Sequence, residues 1–312
     1  EVIAIAKEQQ GPGMLAEAYW TQGCTSFYAG DFELARQYSM LGAHNHHRQA
    51  SIEYVKITQQ NSGPLNLAYW GLALWQLGLV EQSFQRLDEA LAMALDLGHR
   101  FTLAMTTWKL AQVRDFALLG EETIDYSRRV RRIAEEQGFA FWSALGTGCE
   151  GVGLQHLERY DEAIETLHSA LNQLSATGSF ILFPKYRSHL AACLWRVGRT
   201  KEAVQQLDQA FVDQSGGEYF MHSELLRLRG DFATDRSEWE LAESYYRQAI
   251  DVASKQGANM YRLRSAVHLS QLWLRTDKKE EISNLVEPLA RSFTEGHASI
   301  DFQRAKSLLE SL

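Results

Sequence analysis

The chain has 312 residues, 45% of them hydrophobic, only 4 prolines, and a formal net charge of -8 with a pI near 5.7. Such a chain has ample apolar material for a core, and its scattered basic residues, apart from the run Arg128, Arg129, Arg131 and Arg132, argue against nucleic acid as a main partner. The three cysteines, Cys24, Cys149 and Cys193, form no CxxC, no apolar run reaches the roughly 18 residues of a membrane span, and no signal peptide is visible; the expectation is a cytoplasmic protein with reduced, packed thiols and no membrane partner.

Residues 1–11 read as the end of a preceding helical unit, with Gly11 where later terminal glycines fall. The chain is therefore expected to be a piece of a longer protein. Repeat 1 covers 14–46, two helices joined at Gly30, Asp31 and Phe32 with Ala35. From Ala35 to its counterpart Ser83 the register advances by 48 residues, so an insertion or loop is expected over 47–63, ending in the turn signal NSGP. Repeats 2 to 7 follow over 64–98, 100–138, 139–178, 179–217, 218–257 and 258–296. The tail, 299–312, puts Ala305, Leu308, Leu309 and Leu312 on one stripe and reads as a capping helix over the open end of a stack.

The segment 160–178 shows why these units read as helical. Tyr160, Ala163, Ile164, Leu167, Ala170, Leu171 and Leu174 recur in steps of three and four and share one helical face. Moving 40 residues on gives Ala203, Val204, Leu207, Ala210 and Phe211; moving 39 further gives Ala242, Tyr246, Ala249 and Ile250. Terminal glycines keep the same time at Gly98, Gly138, Gly178, Gly217, Gly257 and Gly296, with spacings of 40, 40, 39, 40 and 39. An amphipathic helix cannot stand alone in water, and a fixed period within about 20–50 residues marks a stacked repeat array. No stretch alternates as a strand does, so the fold expected is an all-α solenoid.

Gly146 to Gly151, GTGCEG, matches the spacing of a dinucleotide loop but lacks the strand that must precede it. It reads instead as a small-residue slot in a helix that is either soft, at roughly 1 kcal/mol per glycine, or closely approached by a neighbour. His44, His46 and His47 lack the further ligands that zinc requires and read as an exposed helix end. His222 and His268 read as isolated helix-surface residues. With no GxxxxGK[ST], HExxH or GxSxG, the chain is expected to be no enzyme, with no catalytic, metal or cofactor residues. Aligning first helices on their small residues puts Trp20, Phe27, Trp75, Trp108, Lys109, Asp115, Lys185, His189, Trp195, Arg227, Asp231, Arg264 and Gln271 near the inner, concave face. Aromatics with interspersed charge suit peptide or helix recognition; the alternative is that most of the tryptophans are core between repeats.

The joint G-x-[YF]-x-x-A, seen as Gly30, Phe32 and Ala35, with partial versions at Tyr160 and Ala163 and at Trp239 and Ala242, resembles the tetratricopeptide repeat. The unit of about 40 residues exceeds the standard 34. More specifically, segments such as LAYWGLALWQLGLVEQSFQRLDEALAMALDLGH and AESYYRQAIDVASKQGA are similar to the C-terminal repeat region of multidomain bacterial proteins that join a signal-transduction ATPase to a class III adenylyl or guanylyl cyclase or a transcription-factor domain. The resemblance implies a right-handed superhelical solenoid of about seven helix-turn-helix repeats. It also implies a non-catalytic interaction and regulatory role, binding a protein or peptide segment or the parent's own upstream ATPase domain on the concave face. A small-molecule effector sensor using the same groove is the alternative, and homo-oligomerisation is left open.

Overall fold

A computed structural model describes residues 2–9, 13–275 and 278–312, so the expectation for Gly11 lies outside the described residues. Seventeen α-helices and one short 3-10 turn make up the described residues, which contain no strand. After α1 (Val2–Gln9) the helices pack mainly as antiparallel hairpins: α2 (Met14–Ala29) with α3 (Phe32–His44), α5 (Ser62–Gln76) with α6 (Val80–Leu97), α7 (Arg100–Phe116) with α8 (Gly120–Gln137), and α9 (Ala140–His156) with α10 (Tyr160–Ala176). Then come α11 (Phe183–Arg196) with α12 (Thr200–Asp213), α13 (His222–Asp235) with α14 (Trp239–Gln256), and α15 (Asn259–Leu274) with α16 (Lys279–Ser292); α17 (Ile300–Glu310) packs on α15 and α16. Each hairpin stacks on the next, so the fold is an all-α solenoid. No helix among the described residues is long and apolar enough to cross a membrane.

Helix α10 shows how the pattern becomes structure. Ala163, Ile164, Leu167, Ala170, Leu171 and Leu174 are all buried, while Asp161 and Glu162 place negative charge in the first turn, toward the positive end of the helix dipole. Inner helices of the stack are buried nearly all round; α7 buries every residue from Thr102 to Phe116, polar and charged ones such as Lys109 and Asp115 included. Helix α9, with its four glycines, is closely approached. A Cβ at Gly151 would lie 2.8 Å from Leu167 Cγ, one at Gly148 would lie 2.3 Å from the Tyr186 ring, and one at Gly153 would lie 2.9 Å from the Gly120 carbonyl. GTGCEG is thus a contact surface in mid-helix, with neighbours packed where side chains would stand.

The stretch 47–63 corrects an expectation. It is not a loop, since α4 (Arg48–Thr58) occupies most of it. No glycine or proline interrupts 48–58, and Gln59 ends the helix in a left-handed conformation at φ 59°. NSGP is the start of α5: the Asn61 side chain accepts from Gly63 N at 3.0 Å, and Pro64 sits in the first turn, where its missing N–H has no intrahelical partner to lose.

The stack also closes on itself. Helix C-termini leave carbonyls without intrahelical donors, and three such ends are met from the far end of the chain. Tyr28 O accepts from Tyr219 N at 2.8 Å and Phe220 N at 3.1 Å. Leu77 O accepts from Asn259 Nδ2 at 2.9 Å, and Phe116 O from Arg264 Nη2 at 2.7 Å. Gly296 N donates to Glu81 Oε2 at 2.6 Å. Beneath these contacts Phe27, Trp75, Phe116, Phe220 and Tyr261 form an aromatic plug, with ring centroids 5.4–6.5 Å apart for the contacting pairs. All five are buried, so the inner face is filled in its middle.

Candidate functional site: two recesses on the inner face

The plug leaves a recess on either side of it, and α7 contributes to both. Phe101, Met105, Trp108 and Lys109 line an aromatic pocket of about 250 Å³; Asp115 and Phe116 line a charged cavity of about 330 Å³. Lys109 and Asp115 are six positions apart, about 9 Å along the helix axis at ~1.5 Å per residue.

The aromatic pocket is walled by successive inner helices: Trp20, Cys24 and Tyr28 from α2, Tyr69 from α5, the α7 residues, and Phe141, Trp142 and Leu145 from α9. Lys109 is fully buried at its base. Its Nζ donates to Tyr69 Oη at 2.8 Å and Tyr28 Oη at 3.1 Å and lies 4.0 and 4.2 Å from the Tyr69 and Trp108 ring centroids. Burial pushes its ammonium down to about 7, against a smaller upward pull from Cys24, with Lys185 adding to the depression. Burial likewise raises the Tyr28 and Tyr69 hydroxyls well above 10, keeping both protonated.

The charged cavity is built from the ends of α7, α9, α11, α13 and α15. Asp115 forms an ion pair with Lys185 Nζ at 2.6 Å and meets His156 Nε2 at 2.9 Å. Burial alone would raise its carboxyl, but the Lys185 ammonium, His156 and His189 reverse this and hold it well below the usual carboxylate range. Burial dominates at His189, pushing it down to about 3 despite Asp115. Arg264 donates to Asp301 through Nε at 2.9 Å and Nη2 at 2.7 Å, and to Glu224 through Nη1 at 3.0 Å. Glu224 also accepts from Arg227 Nε at 3.1 Å. A second recess of about 320 Å³ continues the cavity, sharing Gln155, Arg196, Arg227 and His268 with it and adding Trp195, Asp231 and Asp235. There Asp231 accepts from Tyr246 Oη at 2.8 Å and meets His268 Nδ1 at 2.7 Å; burial would raise its carboxyl, but His268 and Arg227 hold it well below the usual range. Trp195 stacks on Phe232 at 4.0 Å and donates Nε1–H to Asp235 at 2.7 Å.

Arg227, Arg264 and Lys185 are therefore spent on internal carboxylates. At the lip, Arg196 is exposed and reaches only Tyr160 Oη, at 3.4 Å, and exposed Arg304 has no partner among the described residues. An acidic group entering the groove meets these two first.

The thirteen residues expected on the concave face thus divide. Asp115, Lys185, His189, Arg227 and Arg264 line or underlie the charged cavity, and Asp231 and Trp195 its extension. Trp20, Trp108 and Lys109 line the aromatic pocket. Phe27 and Trp75 are wholly buried in the plug, because the closing hairpins occupy the space a partner would need. Gln271 is exposed and lines neither recess. His268, read as a surface residue, is half-buried against Asp231. His156, Glu224, Asp301, Tyr28 and Tyr69 were not anticipated. The period itself is the signal for all but Asp301: Tyr69 and Lys109, and Glu224 and Arg264, are each 40 apart, Asp115 and His156 are 41 apart, and Tyr28 and Lys109 are 81, or two periods, apart, whereas Asp301 lies 37 from Arg264. Among the described residues no cluster of His, Cys, Asp and Glu is arranged to hold a metal ion.

No family model matches the chain, and no curated protein matches it in sequence. Solved structures do match in fold. A Rap protein complexed with competence and sporulation factor superposes with a TM-score of 0.58 at 11% identity, over 95% of this chain and 97% of that one. NprR in complex with its cognate peptide NprX gives 0.57 at 12%, over 94% and 81%. A signal transduction ATPase with numerous domains from Pyrococcus horikoshii, which carries a tetratricopeptide repeat sensor, gives 0.51 at 14%, over 99% of this chain and 48% of that one. At these identities the likeness is one of fold: a tetratricopeptide-like helical repeat array.

Proposed function

We propose that this chain is a non-catalytic regulatory repeat domain that binds an extended protein segment in the charged groove. The observation that carries the reading is continuity: the cavity beneath Asp115 runs into the recess beside Trp195, giving an elongated trough along the inner ends of α9, α11, α13 and α15. A trough of that form suits a chain better than a compact molecule. The guanidiniums of Arg196 and Arg304, neither of which is in an ion pair among the described residues, favour a segment with an acidic side chain or terminus. Two of the fold neighbours were solved with a peptide or factor bound, which supports the same class of partner. The parent proposed is a larger signalling protein of the signal-transduction ATPase type, with a cyclase or transcription-factor domain as a further expectation; the segment is then a separate peptide or part of the parent's own ATPase domain. A second reading, a small effector on the inner face, is favoured at one place only, the aromatic pocket, which is too small for an extended chain.

Selection from a random displayed-peptide library, followed by calorimetry, tests the first reading. Selected segments are expected to carry Asp or Glu and to lose affinity at least about tenfold, 1.4 kcal/mol, against Arg196→Ala/Arg304→Ala. Arg247→Ala, on outer helix α14, is expected to change nothing. Equal loss on both faces, or no enrichment of any segment, would count against the groove.

A further inference from the structure

Two lysines are wholly buried on the inner face, and only one is in an ion pair. Lys185 is paired with Asp115 at 2.6 Å, whereas Lys109 forms no ion pair among the described residues; the carboxylate that acts on it, Glu218, accepts from Leu182 N instead. Its surroundings are rich in donors. Lys109 donates to both tyrosine oxygens, and Cys24 Sγ–H donates to Tyr69 Oη at 3.0 Å, the two tyrosine rings standing edge-on at 6.3 Å. The one side-chain carbonyl nearby, Gln112 Oε1, lies at 3.5 Å. Tyr28 Oη accepts from Lys109, so its own O–H points away from the ammonium, and no hydrogen bond donated by that O–H is found among the described residues. Tyr28 is partly buried at the pocket wall. The Lys109 charge is thus relayed to Tyr28, the one of the two hydroxyl groups that reaches the pocket surface.

We propose that the aromatic pocket binds an aromatic ring bearing a carboxylate, its ring against Trp20, Phe101 and Phe141 and its carboxylate accepting from Tyr28 O–H at the end of the Lys109 relay. This rests on the effector reading of the pocket and deepens it. The volume of about 250 Å³ lies just under the ~300 Å³ at which small-molecule sites usually begin, which limits the occupant to one ring system with its acid group. The partly exposed aromatic walls offer offset or edge-on ring contacts. The acid can come from a free aromatic acid or from the C-terminal aromatic residue of a peptide.

Calorimetry on the whole chain at pH 6, where Lys109 holds its proton, distinguishes these. Indole-3-acetate is expected to bind stoichiometrically and at least about tenfold more tightly than neutral indole-3-ethanol, with cationic tryptamine unbound. Lys109→Met and Tyr28→Phe are each expected to bring the acid down to the level of the alcohol while leaving the alcohol unchanged, which also verifies that the pocket is intact. A short peptide ending in Trp with a free carboxylate, bound more tightly than indole-3-acetate and lost on amidation, would assign the source to a peptide end; the reverse order assigns it to a free acid. Equal binding of acid and alcohol would overturn the carboxylate assignment and leave the effector reading standing. Binding of no probe would overturn both. Loss on Arg196→Ala/Arg304→Ala but not on Lys109→Met would place the ligand in the groove and overturn the inference.

Discussion

Replacing Lys109 by Met is expected to stabilise the protein at low pH and to lose that advantage as pH rises. The ammonium is fully buried, and its fall from 10.5 to about 7 corresponds to roughly 5 kcal/mol of disfavour for the charged form, at ~1.36 kcal/mol per unit. Met occupies similar volume without charge but forfeits the bonds to Tyr28 and Tyr69, about 1 kcal/mol each, and the contact with the Trp108 face, about another 1. The net gain is about 2 kcal/mol at pH 6. The sign follows from proton counts. Between pH 7 and 10.5 the unfolded chain holds a proton that the folded one has released, so wild-type stability rises with pH by up to ~1.4 kcal/mol per unit. The advantage of Lys109→Met therefore shrinks above pH 7 and is gone by about pH 9. Glu218, which burial raises to about 7, and Cys24, raised by the same cause, are both held lower by the Lys109 ammonium, so in the variant they rise further and lose stability as pH climbs, the same sign as the effect of Lys109 itself. Urea unfolding at pH 6, 7.5 and 9 reads it. A difference independent of pH, or one that grows as pH rises, would refute the reasoning.

Further outcomes follow from the same packing and charge. Arg264→Met removes the cation shared by Glu224 and Asp301 and the donor to Phe116 O, and should cost about 3–5 kcal/mol in urea unfolding; a loss under about 1 kcal/mol would mean the ring closure contributes little. Gly148→Ala gains about 1 kcal/mol in helix propensity but drives a methyl into the Tyr186 ring, so a lowered Tm is expected, at a net cost of about 1–2 kcal/mol; a raised Tm would contradict the close approach. Unfolded His189 takes up a proton below about 6.5, whereas folded His189 resists until about 3, so stability should fall as pH drops through that window by up to ~1.4 kcal/mol per unit. His189→Gln should flatten that slope in a pH series of unfolding curves, and an unchanged slope would remove His189 as its source.

Local order was far more legible than closure. The stripe from Ala163 to Leu174 predicts α10 because a helix with one greasy face has only one way to hide it. NSGP misled because Asn, Ser, Gly and Pro serve a turn and a helix start equally well; the Asn61 cap decides between them. Phe27 and Trp75 looked like groove residues because their neighbours in sequence are first-helix residues. What buries them comes from Phe220 and Tyr261, far along the chain, and no local pattern announces that a solenoid will curl round to meet its start. The charged residues occupy an intermediate position. Alignment of the repeats places Arg264 and Asp115 on the inner face, but their pairing with Glu224 and His156 follows only from the further fact that residues one period apart face each other on successive inner helices.

Backbone amide exchange with and without a library-selected segment tests most directly whether the inner trough is the working surface. The account predicts added protection along α9, α11, α13 and α15, with little change in outer helices α10, α12 and α14. Protection concentrated on those outer helices, with the trough unaffected, would contradict it.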